Sequence, residues 1–549
     1  VQIEEQPGWD WARRTASELR KYPNLFLLEQ TVVTGVYDHN VTTLLQTGRD
    51  THWRECLWTV RPRHILLASG AIEQGLIFPG NDRPGIMLAG ALRHYLNRHA
   101  VLPGRQIVIA TNNDSAYQTA FDLLDSGVPV SAVVDSREAV SPALEERLRM
   151  SGTEWHKSAS VVETEGFGGL RAVRISGPDG SKPLRRPCDL LAVSGGWAPR
   201  VHLLAHARGS LRFDEASQSF LPERLPTGWS VAGAANGLGS LQQTLDEATQ
   251  AASRICSALG KPAGEAPVPR VTRSMVEPAE VGAQKPAASR RRQWIDLAHD
   301  VTLGDAELAV REGFVSVEHF KRYTTTGMSI DQGKTGNLNA LIVLGALTGR
   351  GPGEVGTTTF RPPYVPVTLG AMAGFRRGEF YAPRRLLPAH PVHEKLHGRF
   401  EDYGWLRPDA YPEPGETVHE AARREVLGVR SAVGVFDNSP IGKLDVRGPD
   451  AARFLDRIYL NNVTGLAPGR ARYGLMLNDN GVIIDDGVFN RLAEDHFLLN
   501  TTSGGATRIA AMLDEWLQCE WRDLQVLVED LTTQWACFTV AGPRAREVV

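Results

Sequence analysis

Apolar residues in the first part of the chain recur at helical spacing in some stretches and form short continuous runs in others. Residues 7–20 bring tryptophan, alanine and leucine side chains to one side of an amphipathic helix, and short strands are expected at 25–29 and 31–37. Further on, two apolar runs enclose a helical stretch, with the strand, helix and strand at 106–110, 114–126 and 130–135. This order predicts a strand–helix–strand unit with parallel strands.

Three more apolar runs end in small residues. They are HILLASGA at 64–71, DLLAVSGG at 189–196 and WSVAGAANGLG at 229–239, and a helix at 240–259 follows the last of them. Small residues let a backbone approach a flat or phosphorylated ligand, and the first amides of a helix attract phosphate. Each run taken alone favours an ordinary strand-to-loop turn. Together, around the strand–helix–strand unit, they predict a dinucleotide-binding architecture.

The turn inside the strand–helix–strand unit lacks the glycines of a dinucleotide fingerprint. Its sequence is ATNNDSA at 110–116, and Asp114 places a negative charge at the start of the following helix. Asp135 ends the second strand where a ribose-binding acid would lie. We expect the fold to be present with a damaged site, and Asp135 to be a solvated strand end.

The middle of the chain changes in composition. Residues 260–293 are rich in proline, alanine and arginine without periodicity, which predicts a linker, and the basic run at 290–292 is expected to be solvated. Thr302 and Asp305 form a capping-box pattern that opens a helix ending at Gly313.

A second short helix is expected at 316–323. The loop at 323–335 then holds clustered hydroxyls, glycines and Lys334, which can bind phosphate, and an ordinary polar loop is an equal alternative.

The last part of the chain is predicted to be strands separated by strong turn signals, namely RGP at 447–449, APG at 467–469 and DNG at 479–481, with helices at 417–427 and 450–460. Asp485 and Asp486 follow the last turn on one strand. Neighbouring strand residues point to opposite faces, so only one of the two carboxylates can face a pocket. Two exposed acids beside a turn are the alternative.

Composition limits the class of protein. At 549 residues, with 42% hydrophobic and 22% charged residues, the chain is an ordinary multidomain globular protein. A net charge of −3 argues against nucleic acid or a membrane surface as the main partner.

The five cysteines show no metal-ligand spacing, so no metal site and a reducing, cytoplasmic location are expected. No apolar run is long enough to span a membrane. A start at Val1 and an end at Val549, just after a strand-like run, suggest a fragment.

Residues 1–258 resemble the disulfide-reductase-type flavoproteins without their first strand and fingerprint. The fold class expected for the chain is multidomain α/β: a disulfide-reductase-like dinucleotide-binding fold with an inserted second Rossmann-like unit, then a small helical domain, then an α+β domain. In that family an acid after the late-strand glycine binds the flavin. Here the sequence is Gly233-Ala234, which favours NAD over FAD in this chain.

The end of the chain resembles the aminomethyltransferase family typified by the glycine-cleavage T-protein. The resemblance is carried by VFDNS at 435–439, GKLDV at 442–446, GPDA at 448–451 and NGVIID at 480–485. Joined to the flavoprotein-like half, these features resemble the α subunits of heterotetrameric sarcosine oxidases. Three further runs fit these subunits: RPGIML at 83–88, TNNDSA at 111–116 and RYTTTGMSIDQGKT at 322–335.

This resemblance implies the candidate sites. Asp485 is the expected catalytic residue, accepting a proton from a folate nitrogen, with Asp486 facing away and tetrahydrofolate bound by Tyr473, Leu477, Thr501 and Thr502. NAD would be held without a catalytic role by Val33, Ser69, Gly70, Gly233, Ala234, Gly239 and Leu241. FMN would be approached by Gly327, Gln332, Lys334 and Thr335.

The resemblance also implies a heterotetramer with a β subunit that carries FAD, two small subunits, and FMN at the α–β boundary. The assembly would oxidise sarcosine to glycine with hydrogen peroxide and form 5,10-methylenetetrahydrofolate. A dimethylglycine- or opine/amine-type dehydrogenase subunit and a non-catalytic scaffold are the alternatives. The domains expected are a dinucleotide-binding domain at 1–103 and 180–259, its insertion at 104–179, a linker at 260–293, a helical domain at 294–375 and a folate-binding domain at 376–549.

Overall fold

The computed structural model describes residues 1–549 except 49–52, 178–181, 263, 265–266, 274–280, 285, 288, 290, 375, 379–380 and 382. The chain forms two compact units, Val1–Gly374 and Phe375–Val549. The finer domain boundaries expected inside them stay predictions. Among the described residues, no helix has both the length and the apolar character that crossing a membrane requires.

The first unit contains helices that are mostly short. They are α1 Gly8–Leu19, α2 Ala89–His99, α3 Ser115–Asp125, α4 Pro142–Ser151, α5 His202–His206, α6 Leu241–Ala258, α7 Leu303–Arg311, α8 Val317–Thr324, α9 Asn337–Thr348, α10 Pro352–Val355 and α11 Leu369–Ala373.

The strands of the first unit are distributed over several sheets. They are β1 Gln2–Ile3, β2 Gln6–Pro7, β3 Thr31–Val36, β4 Thr42–Thr47, β5 Glu55–Val60, β6 Ile65–Leu67, β7 Ala71–Glu73, β8 Ile86–Leu88, β9 Ile107–Thr111, β10 Val130–Asp135, β11 Glu154–His156, β12 Ser160–Glu165, β13 Ala172–Ser176, β14 Leu184–Pro187, β15 Leu190–Ser194, β16 Trp197–Pro199, β17 Ser210–Asp214, β18 Ser219–Arg224, β19 Trp229–Val231, β20 Val271–Arg273, β21 Trp294–Asp296 and β22 Val301–Thr302.

A five-stranded parallel sheet with the order β11-β10-β9-β15-β8 forms the centre of the second Rossmann-like unit. All of β9 is buried, as expected for a strand covered on both faces. Ile107 and Ile109 pack against helices α2, α3 and α4, while Val108 and Ala110 pack against β12 and β13. The predicted strand–helix–strand unit is confirmed in β9, α3 and β10.

Two of the three strands that end in small residues, β6 and β19, also lie side by side. β6 and β19 pair in parallel, with Leu67 opposite Val231, so the turns that follow them lie at the same sheet end. The helix predicted after β19 is confirmed as α6. The stretch at 25–29, predicted to be a strand, is irregular because no neighbouring strand pairs with it among the described residues.

Residues 260–293 do not behave as an extended linker where the structure describes them. β20 pairs with β1. The Gly282 amide donates to the Asn112 carbonyl, and the Asn112 side-chain amide donates to the Gly282 carbonyl, both at 2.8 Å. Gln293 is fully buried. The segment is therefore packed onto the first unit. Arg290, in the predicted basic run, lies outside the described residues.

The helical segment contains one helix that periodicity did not reveal. The capping box of Thr302 and Asp305 opens α7 as predicted, and α8 follows at the expected place. α9 was missed because its sequence, NLNALIVLGALT, is apolar on all sides and buried along most of its length.

The second unit contains an antiparallel sheet and short helices. Its strands are β23 Arg385–Leu386, β24 Arg399–Asp402, β25 Trp405–Ala410, β26 Gly434–Asp437, β27 Gly442–Arg447, β28 Arg470–Leu477, β29 Ile483–Ala493, β30 His496–Thr501, β31 Leu527–Asp530 and β32 Phe538–Ala541. Its helices are α12 His390–Lys395, α13 Val418–Ser431, α14 Ala451–Leu455, α15 Ala506–Glu515 and α16 Ala545–Val548. The helix predicted at 450–460 is thus shorter than expected.

One face of the sheet β28-β29-β30-β27-β31 carries the core of the second unit. Phe489, Phe497 and Leu499 on this face pack against α14 and α15. The residues that alternate with them form the opposite side, which we call the open face: Tyr473, Leu475 and Leu477 of β28, Asp486, Val488 and Asn490 of β29, His496, Leu498 and Asn500 of β30, and Lys443, Asp445 and Arg447 of β27.

Candidate active site on the second unit

The two adjacent carboxylates of β29 face opposite sides of the sheet. In the β28–β29 hairpin, Met476 lies opposite Asp485 and Leu475 lies opposite Asp486. Met476 belongs to the buried core. Residues paired across a sheet share a face, so Asp485 points to the core side and Asp486 to the open face.

Asp485 is enclosed by the turn that precedes α15. It is 3% exposed, and its Oδ1 accepts the backbone N–H of Thr502 at 2.9 Å and that of Asp486 at 2.8 Å. Its Oδ2 accepts the Thr502 hydroxyl at 3.2 Å. A Cβ added to Gly505 would lie 1.8 Å from this oxygen, which shows how closely the turn covers the carboxylate. The folate-facing role expected of Asp485 stays a prediction, and its buried position also suits an acid that holds the turn in place.

Asp486 occupies the accessible position instead. Its Oδ2 accepts a hydrogen bond from the Tyr473 hydroxyl, and Tyr473 is 58% exposed. The hydrogen bond to Asp486 raises the pKa of Tyr473, so the phenol stays protonated and donates. A partly exposed carboxylate oriented by a phenol can accept a proton from a ligand on the open face.

The residues predicted to bind folate are divided between the two faces. Tyr473 and Leu477 share the open face with Asp486, so the structure brings these three together. Thr501 is 3% exposed on the core side, and the Thr502 hydroxyl is bonded to Asp485. Thr501 and Thr502 therefore support the turn around Asp485.

The open face also carries polar groups that the sequence analysis missed. His496 Nε2 lies 2.6 Å from Asp445 Oδ1, and Asp445 is almost fully buried. The Lys443 amine donates to the carbonyls of Ser439 and Ile441, both at 2.8 Å, and burial lowers the pKa of Lys443. The polar residues at alternate positions of GKLDVR and HFLLNT were the available signal.

In the first unit, part of the predicted NAD set lies together. Ser69 and Gly70 follow β6, and Gly233 and Ala234 follow its parallel neighbour β19. The Ser69 hydroxyl donates to the carbonyl of Arg200 at 2.8 Å. A Cβ on Gly70 would meet no atom within 4 Å, so space is open there.

The helix end beside these turns can also receive an anion. α6 begins at Leu241 after an exposed Gly239, and no described side chain caps it. Ser69, Gly70, Gly239 and Leu241 therefore fit a phosphate-bearing ligand.

Two members of the NAD set do not fit this role. The amide of Gly233 donates to Glu247 Oε2 at 2.6 Å, so a carboxylate of α6 already occupies the position of an anion. Val33 is half-buried against the apolar cluster around Leu67 and Val231. The sequence analysis noted the missing acid after Gly233 but missed that Glu247 lies at that turn.

The second Rossmann-like unit neutralises its own acids. Asp135 is fully buried, which corrects the expectation of a solvated strand end. Arg137 lies 2.6 Å from Asp114 and 2.8 Å from Asp135, and Tyr117 donates to Asp135 at 2.7 Å. Burial would lower the pKa of Arg137, but its bonds to both acids outweigh burial and raise it. The damaged site is thus closed by an internal ion cluster.

The loop predicted to approach FMN is largely bonded within its own unit. Gly327 is buried and donates its amide to Asp296 at 2.8 Å, so Gly327 does not fit that role. Gln332 donates to the Pro363 carbonyl at 2.6 Å, and Lys334 to the Tyr364 carbonyl at 2.7 Å. The Thr335 hydroxyl donates to Asp331 at 2.9 Å. Among the described residues, no group of three or more His, Cys, Asp or Glu can hold a metal ion.

Comparison with known proteins agrees with this division of the chain. Residues 389–549 match the GCVT N-terminal domain, and residues 290–375 match the sarcosine oxidase A3 domain. The fold is that of a multidomain α/β protein whose second unit carries the GCVT domain. An L-proline dehydrogenase from P. horikoshii matches with a TM-score of 0.46 at 19% identity, covering 66% of this chain and 69% of that chain.

Sequence comparison also finds relatives that match the whole chain. The chain is 41% identical to the sarcosine oxidase subunit alpha of Corynebacterium sp. (strain P-1), over 100% of this chain and 59% of the relative. It is 38% identical to that of Rhizobium meliloti (strain 1021), over 100% of this chain and 56% of the relative. The chain is a homologue of sarcosine oxidase α subunits along its whole length, and it spans under three fifths of the length of these relatives.

Proposed function

We propose that the chain provides the folate-side site of a sarcosine oxidase α subunit. The complete assembly would convert sarcosine, oxygen and tetrahydrofolate to glycine, hydrogen peroxide and 5,10-methylenetetrahydrofolate. The names of the relatives and the GCVT domain support this function. The observation that carries it is the Asp486–Tyr473 pair on the open face of the sheet.

The chemistry needs one proton acceptor at the folate. When a folate nitrogen attacks the iminium carbon derived from sarcosine, a C–N bond forms and the nitrogen becomes positively charged. Asp486 accepts the proton that this nitrogen loses and passes it to the amine nitrogen of the adduct. The bond between the carbon and that amine then breaks as the second folate nitrogen closes the methylene bridge, and the proton of the second nitrogen leaves with the glycine amine. Tyr473 holds the carboxylate in place through its hydrogen bond, and Leu477 supplies apolar surface on the same face.

The first unit would bind NAD without a redox role. Ser69, Gly70, Gly239 and Leu241 are the residues whose surroundings suit it. FMN would lie at the boundary with a flavin-carrying β subunit, near Gln332, Lys334 and Thr335, and that subunit would hold FAD. Two small subunits would complete the heterotetramer. Extraction of the purified protein tests the NAD assignment, and tightly bound FAD in place of NAD would contradict it.

The two neighbouring carboxylates give a matched experiment on the function. In the complete assembly with sarcosine, we expect Asp486→Asn to reduce methylenetetrahydrofolate formation about 10²- to 10⁴-fold, the usual contribution of a positioned acid–base group. Peroxide formation without folate should be unchanged. Asp485→Asn should retain most of the folate reaction in the protein that folds.

Unchanged methylenetetrahydrofolate formation in Asp486→Asn would contradict the proposal. Turnover of dimethylglycine in preference to sarcosine would instead indicate the related dehydrogenase class.

A further inference from the structure

A large cleft of the first unit is used by neither the proposed NAD site nor the folate site. Its volume is about 890 Å³, which is within the range of small-molecule sites. Five structural elements contribute its lining residues, which are Trp9, Glu73, Gly90, Arg93, His94, Asn97, Arg98, Ser115, Gln118, Thr119 and Trp197. None of the residues predicted to contact NAD, FMN or folate is among them.

One side of the cleft is a complete helix face. The lining residues of α2 recur at spacings of three and four, from Gly90 to Arg98, and therefore lie along one stripe about 12 Å long. This stripe is basic and carries one side-chain amide, that of Asn97. Arg93 is held by Asp122 at 2.7 Å, and the Arg98 guanidinium lies 5.7 Å from the centre of the Trp9 ring.

Two indole rings contribute to the lining. Trp197 is 42% exposed, and its Nε1 donates to the Ser115 hydroxyl at 2.8 Å, which fixes the ring beside the start of α3. Trp9 is 63% exposed on α1, beside Arg98. Exposed indoles provide flat surfaces on which an aromatic ring stacks.

The floor of the cleft carries little negative charge that would repel an anion. Glu73 is buried there, and its Oε2 accepts the amide of Gly90 at 2.8 Å. Burial raises the pKa of Glu73, which disfavours its negative charge. Arg98 then makes the cleft positive, because Asp122 already offsets Arg93.

We propose that this cleft binds a nucleoside monophosphate. The base would stack on an indole, and the exposed Asn97, whose side-chain nitrogen donates to Asp122, offers its amide oxygen to the base edge or the ribose. The phosphate would lie at Arg98. This binding does not depend on the folate reaction.

The test uses AMP with the purified full chain in its assembly, by calorimetry and tryptophan fluorescence. We expect saturable binding that weakens about tenfold or more in Arg98→Gln, and clearly in Trp9→Leu, because a charged hydrogen bond and a stacking surface are lost. Adenosine should bind about tenfold more weakly than AMP. Both substituted side chains are exposed, so folding should persist, and circular dichroism checks it.

Arg149→Gln is the matched control, since Arg149 is an exposed arginine on α4 outside the cleft. It should bind AMP as the parent protein does. The absence of saturable AMP binding at millimolar concentration would overturn the proposal. So would AMP binding that Arg98→Gln and Trp9→Leu leave unchanged, because the nucleotide would then be bound elsewhere.

Discussion

The parallel sheet of the first unit and the antiparallel sheet of the second unit place charge in opposite ways. The parallel sheet is covered on both faces, and its strand-end acid Asp135 is fully buried with Arg137. In the antiparallel sheet, α14 and α15 pack against one face, and Asp486 lies on the other beside an exposed tyrosine. A covered sheet must pair its charges internally, whereas an open face can leave a carboxylate accessible to a ligand.

The same contrast exists within a single strand. Asp485 and Asp486 are chemically identical neighbours, yet one is bonded to the backbone of Thr502 and the other to the hydroxyl of Tyr473. Burial, and not residue type, therefore distinguishes the acid that supports the fold from the acid that can act on a ligand.

The largest expected stability effect concerns the ion cluster of the covered sheet. Arg137→Met removes the partner of Asp114 and Asp135, and two buried acids are left without their cation. We expect the free energy of unfolding of this sheet region to fall by about 3–5 kcal/mol. Amide hydrogen exchange across β9, α3 and β10 measures it.

Arg149→Met is the control for this prediction, because Arg149 pairs with Glu146 at the surface. It should change exchange little. Equal exchange in the two variants would show that the buried cluster does not stabilise the covered sheet.

The next effect distinguishes the two neighbouring acids. Asp485→Ala leaves the backbone N–H of Thr502 and its hydroxyl without their acceptor under a closed turn. We expect the free energy of local unfolding to fall by about 2–3 kcal/mol, measured by hydrogen exchange at the start of α15. Asp486→Ala should leave the same amides protected. Loss of protection in Asp486→Ala instead would reverse the roles that we assign to the two residues.

A smaller, pH-dependent effect tests the covered interior of the first unit. Burial, and then the charge of Lys334, lowers the pKa of His202 to about 3. The unfolded chain binds a proton near pH 6.5 while the folded protein does not, so stability is complete above that pH and falls as the pH decreases towards 3. The free energy of unfolding that His202 contributes is expected to fall by about 1.4 kcal/mol for each unit of decrease in pH.

His202→Phe should reduce the slope of stability with pH but not remove it, because burial also lowers the pKa of His206 to about 4; the melting temperature between pH 7 and pH 5 measures the change. The exposed His419 provides the control, and His419→Gln should keep the slope. If both variants keep it, His202 is not the titrating group.

The smallest effect concerns the open face. Tyr473→Phe removes the hydroxyl that orients Asp486 but keeps the ring. Methylenetetrahydrofolate formation should fall several-fold, less than in Asp486→Asn, with unchanged hydrogen exchange. In the double variant the two losses should be less than additive, because both act through one carboxylate. Additive losses would show that Tyr473 acts independently of Asp486.

Short-range patterns were sufficient for much of the fold. The strand–helix–strand unit, the capping box of Thr302 and the helix after β19 all depend on residues close in sequence, and all were predicted. α9 was missed because a helix that is buried on all sides has no apolar stripe to detect. The packing of 271–273 onto β1 was missed because the two strands are distant in sequence.

The sequence by itself determined the hairpin at Asn480-Gly481 and the alternation that sends Asp485 and Asp486 to opposite faces, because these follow from turn chemistry and from the period of a strand. Only the tertiary structure decided which face the helices cover. That choice depends on α14 and α15 packing against Phe489 and Phe497, and on Gly505 closing over Asp485. Likewise, only folding brings Arg137 between Asp114 and Asp135, since burial of a charge is set by everything that packs around it.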